Sequence, residues 1–235
     1  MGLDLPPNVG RTVARRPGVT VLVPTRADDP FLLEALNSVL TQTRPPERVI
    51  AIASADDEGL TELEHRLARL STHLSLEIAS QPGMIGALNH GLAVAGSEFV
   101  AFLDSDDLWL PEKQARQVAL LEEDVSLHAV CGLAANFTAG SPGERTQQPA
   151  LSTRLFTATT FRATAFDLVG GLDPEAGHYT WLYRWWTRAQ RIGLSVGSVD
   201  LLCTLRRIHA TNSWRTGNAD AVRALFSELR RSGEA

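Results

Sequence analysis

The sequence predicts an α/β domain with a mainly parallel central sheet and helices on both faces. Two observations carry this expectation. From Val19 onward, short runs rich in β-branched residues alternate with helix-length amphipathic stretches, the pattern of strand–helix crossovers. The 235-residue chain is 44% hydrophobic and 21% charged, enough to bury a real core in one α/β domain or two very small ones, and not the composition of a disordered chain.

Residues 1–18, with three prolines and Arg15-Arg16, read as a tail. Val19-Thr20-Val21-Leu22-Val23 is a buried strand ended by Pro24, which has no N–H to continue a ladder. Residues 31–41 carry apolar side chains at Leu32, Leu33, Leu36, Val39 and Leu40, a helical period. Strands at 48–52, 74–79 and 98–103 then alternate with helices at 59–70 and 84–95, the latter closed by Gly96. The second half is less regular. A helix is expected at 111–122 with proline in its first turn, where proline is tolerated, and a strand at 127–136. Residues 138–149, rich in Gly, Pro, Ser and Gln, read as a polar loop. A strand at 155–161, a short helix at 164–169 and a break at Gly170-Gly171 follow. A helix over 179–192 places Leu182, Trp185, Trp186, Ala189 and Ile192 on one face, with Trp181 and Tyr183 left to reach a cleft; a C-terminal helix is expected at 215–235. There is no internal repeat.

A net charge of −5 argues against a broad electrostatic grip on nucleic acid. Cys131 and Cys203 form no CxxC pair, and no apolar run approaches bilayer-spanning length, so a reduced cytoplasmic protein is the plain reading. The first strand is not followed by G-x-G-x-x-G, which disfavours a nicotinamide-dependent enzyme.

In open α/β sheets, ligands collect beyond the carboxyl ends of the strands. Three such ends are polar here: Thr25-Arg26, residues 54–57, and Asp104-Ser105-Asp106-Asp107. If extended geometry persists past Leu103, Asp104 and Asp106 point to the same side, and two carboxylates that close repel unless a cation or proton lies between them. A hard ion such as Mn²⁺ or Mg²⁺ suits them and keeps positions open for phosphate oxygens. A turn with a helix N-cap explains the same residue types without a metal.

Several motifs occur together in order: Val21-Leu22-Val23-Pro24-Thr25, the apolar strand into Asp104-Ser105-Asp106-Asp107, Trp109-Leu110-Pro111, Gly171-Leu172-Asp173, and Arg206-Arg207-Ile208-His209. Over about residues 19–214 they resemble family 2 glycosyltransferases of the GT-A fold, a single Rossmann-like domain. The resemblance implies a nucleotide-binding half at 19–110 and an acceptor half at 111–214. It also implies metal-dependent transfer of a sugar from a nucleotide-diphosphate donor, usually with inversion. On this resemblance Pro24, Thr25 and Arg26 line the nucleotide pocket, Asp104 sits near the ribose, Asp106 and His209 hold Mn²⁺ or Mg²⁺, and Arg206 or Arg207 pairs with phosphate oxygens. For His209 the alternative is a surface histidine after an edge strand, and for the arginines a solvated pair.

Two departures from the family pattern stand out. Where the family places Asp-Asp-Gly-Ser to read the base, this chain has Ala53-Ser54-Ala55-Asp56-Asp57, so that Asp56 or Asp57 must reach the base from a shifted loop. Where an acidic residue normally opens the acceptor-side helix and acts as general base, this chain has Tyr179-Thr180-Trp181-Leu182. Glu175 or His178, just upstream, are then the candidate bases; an acceptor such as a thiol needs little help; or the chain binds donor without transferring it. The acceptor, whether small molecule, peptide, glycan or modified base, is open.

Overall fold

The structure, a computed structural model, describes residues 15–139, 145–147, 150–152, 154–176 and 180–209. The expected tail up to residue 14, His178 and the expected helix at 215–235 lie outside the described residues.

The chain order begins β1 (Arg16–Pro24), α1 (Leu32–Leu40), β2 (Arg48–Ser54), α2 (Leu60–Leu70), β3 (Leu74–Ala79), α3 (Gly83–Val94) and β4 (Ser97–Phe102). It continues with β5 (Leu108–Trp109), α4 (Lys113–Glu123), β6 (Ala129–Ala139), β7 (Arg145–Gln147), β8 (Leu151–Ser152) and a 3₁₀ turn at Phe156–Ala158. The last described elements are β9 (Thr159–Arg162), α5 (Thr164–Val169), α6 (Trp181–Arg191) and β10 (Val196–Arg207). All strands belong to one sheet, ordered β3-β2-β1-β4-β9-β6-β10-β5, with β7 and β8 paired to β6.

Side chains alternate across each strand, so β1 feeds two cores. Val19, Val21 and Val23 pack with Leu36 and Val39 of α1, Leu63 and Leu67 of α2, and Val118 and Leu121 of α4. On the opposite face Leu22, Ile50, Ile52 and Phe102 meet Ala87 and Leu88 of α3, Val169 of α5, and Trp185 and Trp186 of α6. Gly91 permits the close approach of α3, because a Cβ there would lie 2.5 Å from Ile52 Cδ1. The expectation of helices on both faces therefore holds.

The expectation of a mainly parallel sheet holds only for the first half. β1 pairs parallel with β2 and β4, and β2 with β3, but β9 enters antiparallel between β4 and β6. β6 and β10 are again parallel, while β5 closes the order antiparallel to β10. The sheet is mixed because β9 and β5 run against their neighbours, and of the strand expected at 155–161 the first part is a 3₁₀ turn and pairing begins at Thr159. No strand was expected over Val196–Arg207. It runs beside β6 and is bridged on its other side by the two-residue β5 at Thr204 and Leu205, and His209 follows its end. Within the expected polar loop, Arg145–Gln147 pairs with β6.

Lys113, at the start of α4, is fully buried. Its Nζ donates to Gln117 Oε1 at 3.0 Å and Thr160 Oγ1 at 3.2 Å and sits 3.8 Å from the Trp109 ring centre. Burial without a carboxylate partner among the described residues lowers its pKa to about 7. Below that pH the folded and unfolded chains both carry the proton, and the cost of the buried charge is complete. Above it the folded chain releases the proton that the unfolded chain keeps to about pH 10.4, so stability rises with pH across that window. Relative to Lys113→Met, the wild-type protein should gain about 2 kcal/mol between pH 7 and pH 9 in urea unfolding. A difference that stays flat with pH would remove this account.

Candidate active site

β1 lies between β2 and β4, so the chain leaves β1 in one direction along the sheet and returns on the other side. Such a reversal opens a crevice at the carboxyl ends of the strands. The crevice is a cleft of about 930 Å³. Its walls are residues 24–31, residues 54–57, the turn 104–107, the first turns of α3 and α6, and the end of β10.

The register at the end of β1 explains the first wall. Leu103 N–H donates to Leu22 O at 3.0 Å, after which Pro24 offers no donor and Thr25 N–H turns to Ile52 O at 2.9 Å. Arg26 is exposed and pairs with Asp28 at 3.1 Å. Asp29 accepts the Phe31 N–H at 2.8 Å and the Ser105 hydroxyl, tying this wall to the acidic turn. Past β2, Asp57 accepts the Ser54 N–H at 3.2 Å. Asp56 accepts the Ser54 hydroxyl, which holds its carboxyl below the usual range.

The acidic segment is a turn and not a continued strand, with Asp107 N–H donating to Asp104 O at 3.0 Å. The turn still gathers the carboxylates: one oxygen each from Asp104, Asp106 and Asp107 lie within 4.8 Å of one another. Asp104 is exposed where it lines the cleft, yet the protein packed around its carboxyl, then the Asp106 charge, raise its pKa to about 6 against the opposing charge of Arg206. Asp107 is 3% exposed, and burial together with its two acidic neighbours pushes it well above the usual carboxylate range. Its Oδ1 accepts the Arg207 N–H at 3.0 Å, while its buried Oδ2 has no hydrogen-bond partner among the described residues. His209 Nε2 lies 2.9 Å from Asp106 Oδ2. Crowded carboxylates, a buried acceptor with no donor among the described residues and an adjacent imidazole form an oxygen-rich donor set that fits a hard divalent cation such as Mn²⁺ or Mg²⁺.

Arg206 lines the cleft; Arg207 also borders it but is only 5% exposed. Opposite, Pro82, Gly83, Met84 and Ala87 of the α3 region and Trp181 and Leu182 of α6 make a less polar wall. Trp181 meets Phe156 edge-on at 5.2 Å, while Trp185 and Trp186 are buried as expected. Tyr183 is not among the residues lining the cleft.

The start of α6 is held by the turn before it. Asn89 accepts the Leu172 N–H and donates to Leu172 O, both at 2.8 Å, and Trp185 Nε1 donates to Gly170 O at 3.0 Å. Burial raises the Asp173 carboxyl, but Arg184 at 2.8 Å and the Glu175 N–H outweigh it and leave the pKa lowered. Glu175 itself is exposed and does not line the cleft. The structure thus brings Pro24, Thr25, Arg26, Asp56, Asp104, Asp106, Arg207 and His209 to one cleft and leaves Glu175 outside it. Asp29, Phe31, Asn89 and Met84 were not anticipated. Only Asp29-Pro30 carried a local signal, that of a turn.

The family model for glycosyl transferase family 2 matches residues 20–184, well over half of the chain. The chain belongs to glycosyl transferase family 2. Among relatives of this family, the succinoglycan biosynthesis protein ExoW of Rhizobium meliloti is 40% identical over 101 residues, which is 40% of this chain and 31% of that protein. The chain spans about half or less of the length of the curated relatives it matches. Two solved structures share its fold. The mannosyltransferase PcManGT from Pyrobaculum calidifontis, in complex with GDP-Man and Mn²⁺, superposes with a TM-score of 0.68 at 22% identity, covering 97% of this chain and 68% of that one. TarS of S. aureus in complex with UDP gives 0.61 at 19% identity over 81% of this chain and 60% of that one. The correspondence identifies the mixed sheet as the GT-A arrangement.

Replacing Asn89 by Ala strips both partners from the Leu172 peptide groups. It should cost about 1–3 kcal/mol in urea unfolding, the price of leaving part-buried polar groups unpaired. A loss below about 0.5 kcal/mol would mean that water replaces both bonds.

Proposed function

We propose that the cleft binds a nucleotide-diphosphate sugar together with Mn²⁺ or Mg²⁺ and transfers the sugar, with inversion, to an acceptor entering past Trp181. The observation that carries this reading is the convergence of Asp104, Asp106, Asp107 and His209 at the strand ends of a cleft large enough for a nucleotide sugar.

In this reading Pro24, Thr25 and Arg26 line the nucleoside side. Asp56, kept ionised by Ser54, accepts from the base, and Asp104 accepts from the ribose hydroxyls. Asp106 and His209 hold the cation, which when bound offsets the negative charge growing on the departing diphosphate. Arg206, facing the cleft, adds a fixed positive charge on the same side. Trp181 offers an aromatic face against which a sugar or apolar aglycone packs. The proton of the acceptor goes to Glu175 or His178, if an acceptor that needs a base is used at all. The exposure of Glu175 outside the cleft favours an acceptor that ionises readily, such as a thiol.

That same exposure supports one other reading, a module of this fold that binds donor without transferring it. The two structural neighbours are complexes with GDP-Man and Mn²⁺ and with UDP, which supports a nucleotide ligand under either reading.

A thermal-shift panel of UDP-, GDP- and dTDP-sugars with and without Mn²⁺ should show one donor class stabilising the protein, and only with the metal. Asp106→Asn should abolish the metal-dependent part. Slow donor hydrolysis should fall about 100-fold in the same variant, the usual scale for losing an electrostatic stabiliser. Metal-dependent binding without hydrolysis or transfer would select the binding module. No binding of any nucleotide sugar would overturn both.

A further inference from the structure

We propose that Phe31 and Arg207 are positioning residues that hold His209 and the turn 104–107 in the spacing a divalent cation needs, and that they link this spacing to the nucleotide-lining wall at residues 24–31. The inference rests on the cation site proposed above and assigns what keeps that site in shape.

Arg207 is the last residue of β10, and its donors point into protein. The main-chain N–H reaches Asp107 Oδ1 at 3.0 Å, Nε reaches Asp106 O at 2.9 Å, and one terminal nitrogen reaches Glu34 Oε2 at 2.5 Å. The guanidinium carbon lies 4.4 Å from the Phe31 ring centre and 4.7 Å from that of Phe137. A planar cation between two rings, with forked donors engaged, is fixed in a way that an ammonium cannot copy. With 5% of its surface exposed, Arg207 acts on the site through Asp106 and Asp107, whereas Arg206 is the arginine that presents its charge to the cleft.

Phe31 touches a second member of the site. The His209 ring centre lies 5.0 Å from the Phe31 ring, with the planes inclined by 48°. Just before it, Ile208 N–H donates to Phe137 O at 2.8 Å, where the chain leaves β10. Beyond that rung, contacts with Phe31 and Asp106 bear on the imidazole. Phe31 is itself placed by Asp29, which also accepts the Ser105 hydroxyl inside the acidic turn. The contacts close a ring: Asp29 to Phe31, Phe31 to His209, His209 to Asp106, and Ser105 back to Asp29. The nucleotide-lining wall cannot shift without moving the cation's ligands. Contacts behind a metal ligand typically govern affinity by about 10–100-fold.

The test compares wild type with Phe31→Leu, Phe31→Tyr and Arg207→Lys. Its readouts are the Mn²⁺ dissociation constant from the electron paramagnetic resonance of free Mn²⁺, the His209 imidazole ¹H–¹⁵N shifts of the metal-free protein at one pH, and the melting temperature. Phe31→Leu and Arg207→Lys should weaken Mn²⁺ binding by about tenfold or more and displace the His209 signals. Phe31→Tyr, which keeps the aromatic face, should stay within about threefold of wild type. Wild-type Mn²⁺ affinity and unmoved His209 signals in Phe31→Leu would overturn the proposal, as would equal losses in Phe31→Tyr and Phe31→Leu. Should Phe31→Leu not fold, Arg207→Lys against Phe31→Tyr decides by the same readouts. Should wild type take up no Mn²⁺, the cation reading fails on its own, and the imidazole shifts still decide whether the ring of contacts holds His209.

Discussion

The last rung between β1 and β4, from Leu103 N–H to Leu22 O, sets the geometry of everything at the strand ends. From Val19 and Phe99 up to that rung the two strands are neighbours in a buried ladder, and their apolar side chains are committed to the two cores. One step further, proline removes the donor on one strand and Asp104 begins a turn on the other. The strands part, and the space between them is lined by the first side chains that neither core claims. An apolar ladder stopped abruptly by a residue without an N–H is how this chain brings charged groups next to a dry interior.

The position of those charged groups explains why Asp104 and Asp107 hold their protons more tightly than a free carboxyl does. Asp104 is exposed, Asp106 half-buried and Asp107 buried, and one turn crowds all three together. Burial and mutual repulsion act in the same direction on Asp104 and Asp107, and Arg206 opposes both. Asp56, exposed on the cleft wall, instead accepts a hydroxyl hydrogen bond that holds its carboxyl below the usual range. One cleft therefore holds carboxyls of two kinds, a separate anion held by a hydroxyl and a crowded cluster whose repulsion a cation relieves.

The first half of the fold was legible because each element carries its own period. β-branched runs, amphipathic helices and a terminating proline placed β1 to β4 to within a few residues, since β1, β2 and β4 are buried over most of their length. The second half was less legible. β9 is four residues long and follows a 3₁₀ turn, and β5 has two residues, so neither carries a period at all. The site divided in the same way. Asp104 and Asp106 were visible as a motif, although the turn that gathers them differs from the extended geometry first considered. Phe31, Asn89 and the packing of Arg207 were not visible, because each acts across more than eighty residues of sequence: Asn89 on Leu172, and Phe31 and Glu34 on the end of β10.

The antiparallel entry of β9 beside β4 bears on how the chain can be divided. The nucleotide-lining strands would look self-sufficient if the chain were cut near residue 110, because β1 to β4 form a continuous parallel set. Yet β4 would then carry a bare edge of Phe99, Val100 and Ala101, now paired with Arg162, Phe161 and Thr160. A flat apolar edge of this kind recruits other strands. The same cut would uncover Phe102, whose ring packs against Phe156, Phe161 and Phe166. The donor-side strands are thus solvent-compatible only while the later chain covers them, and a fragment ending there would be expected to self-associate before it folded.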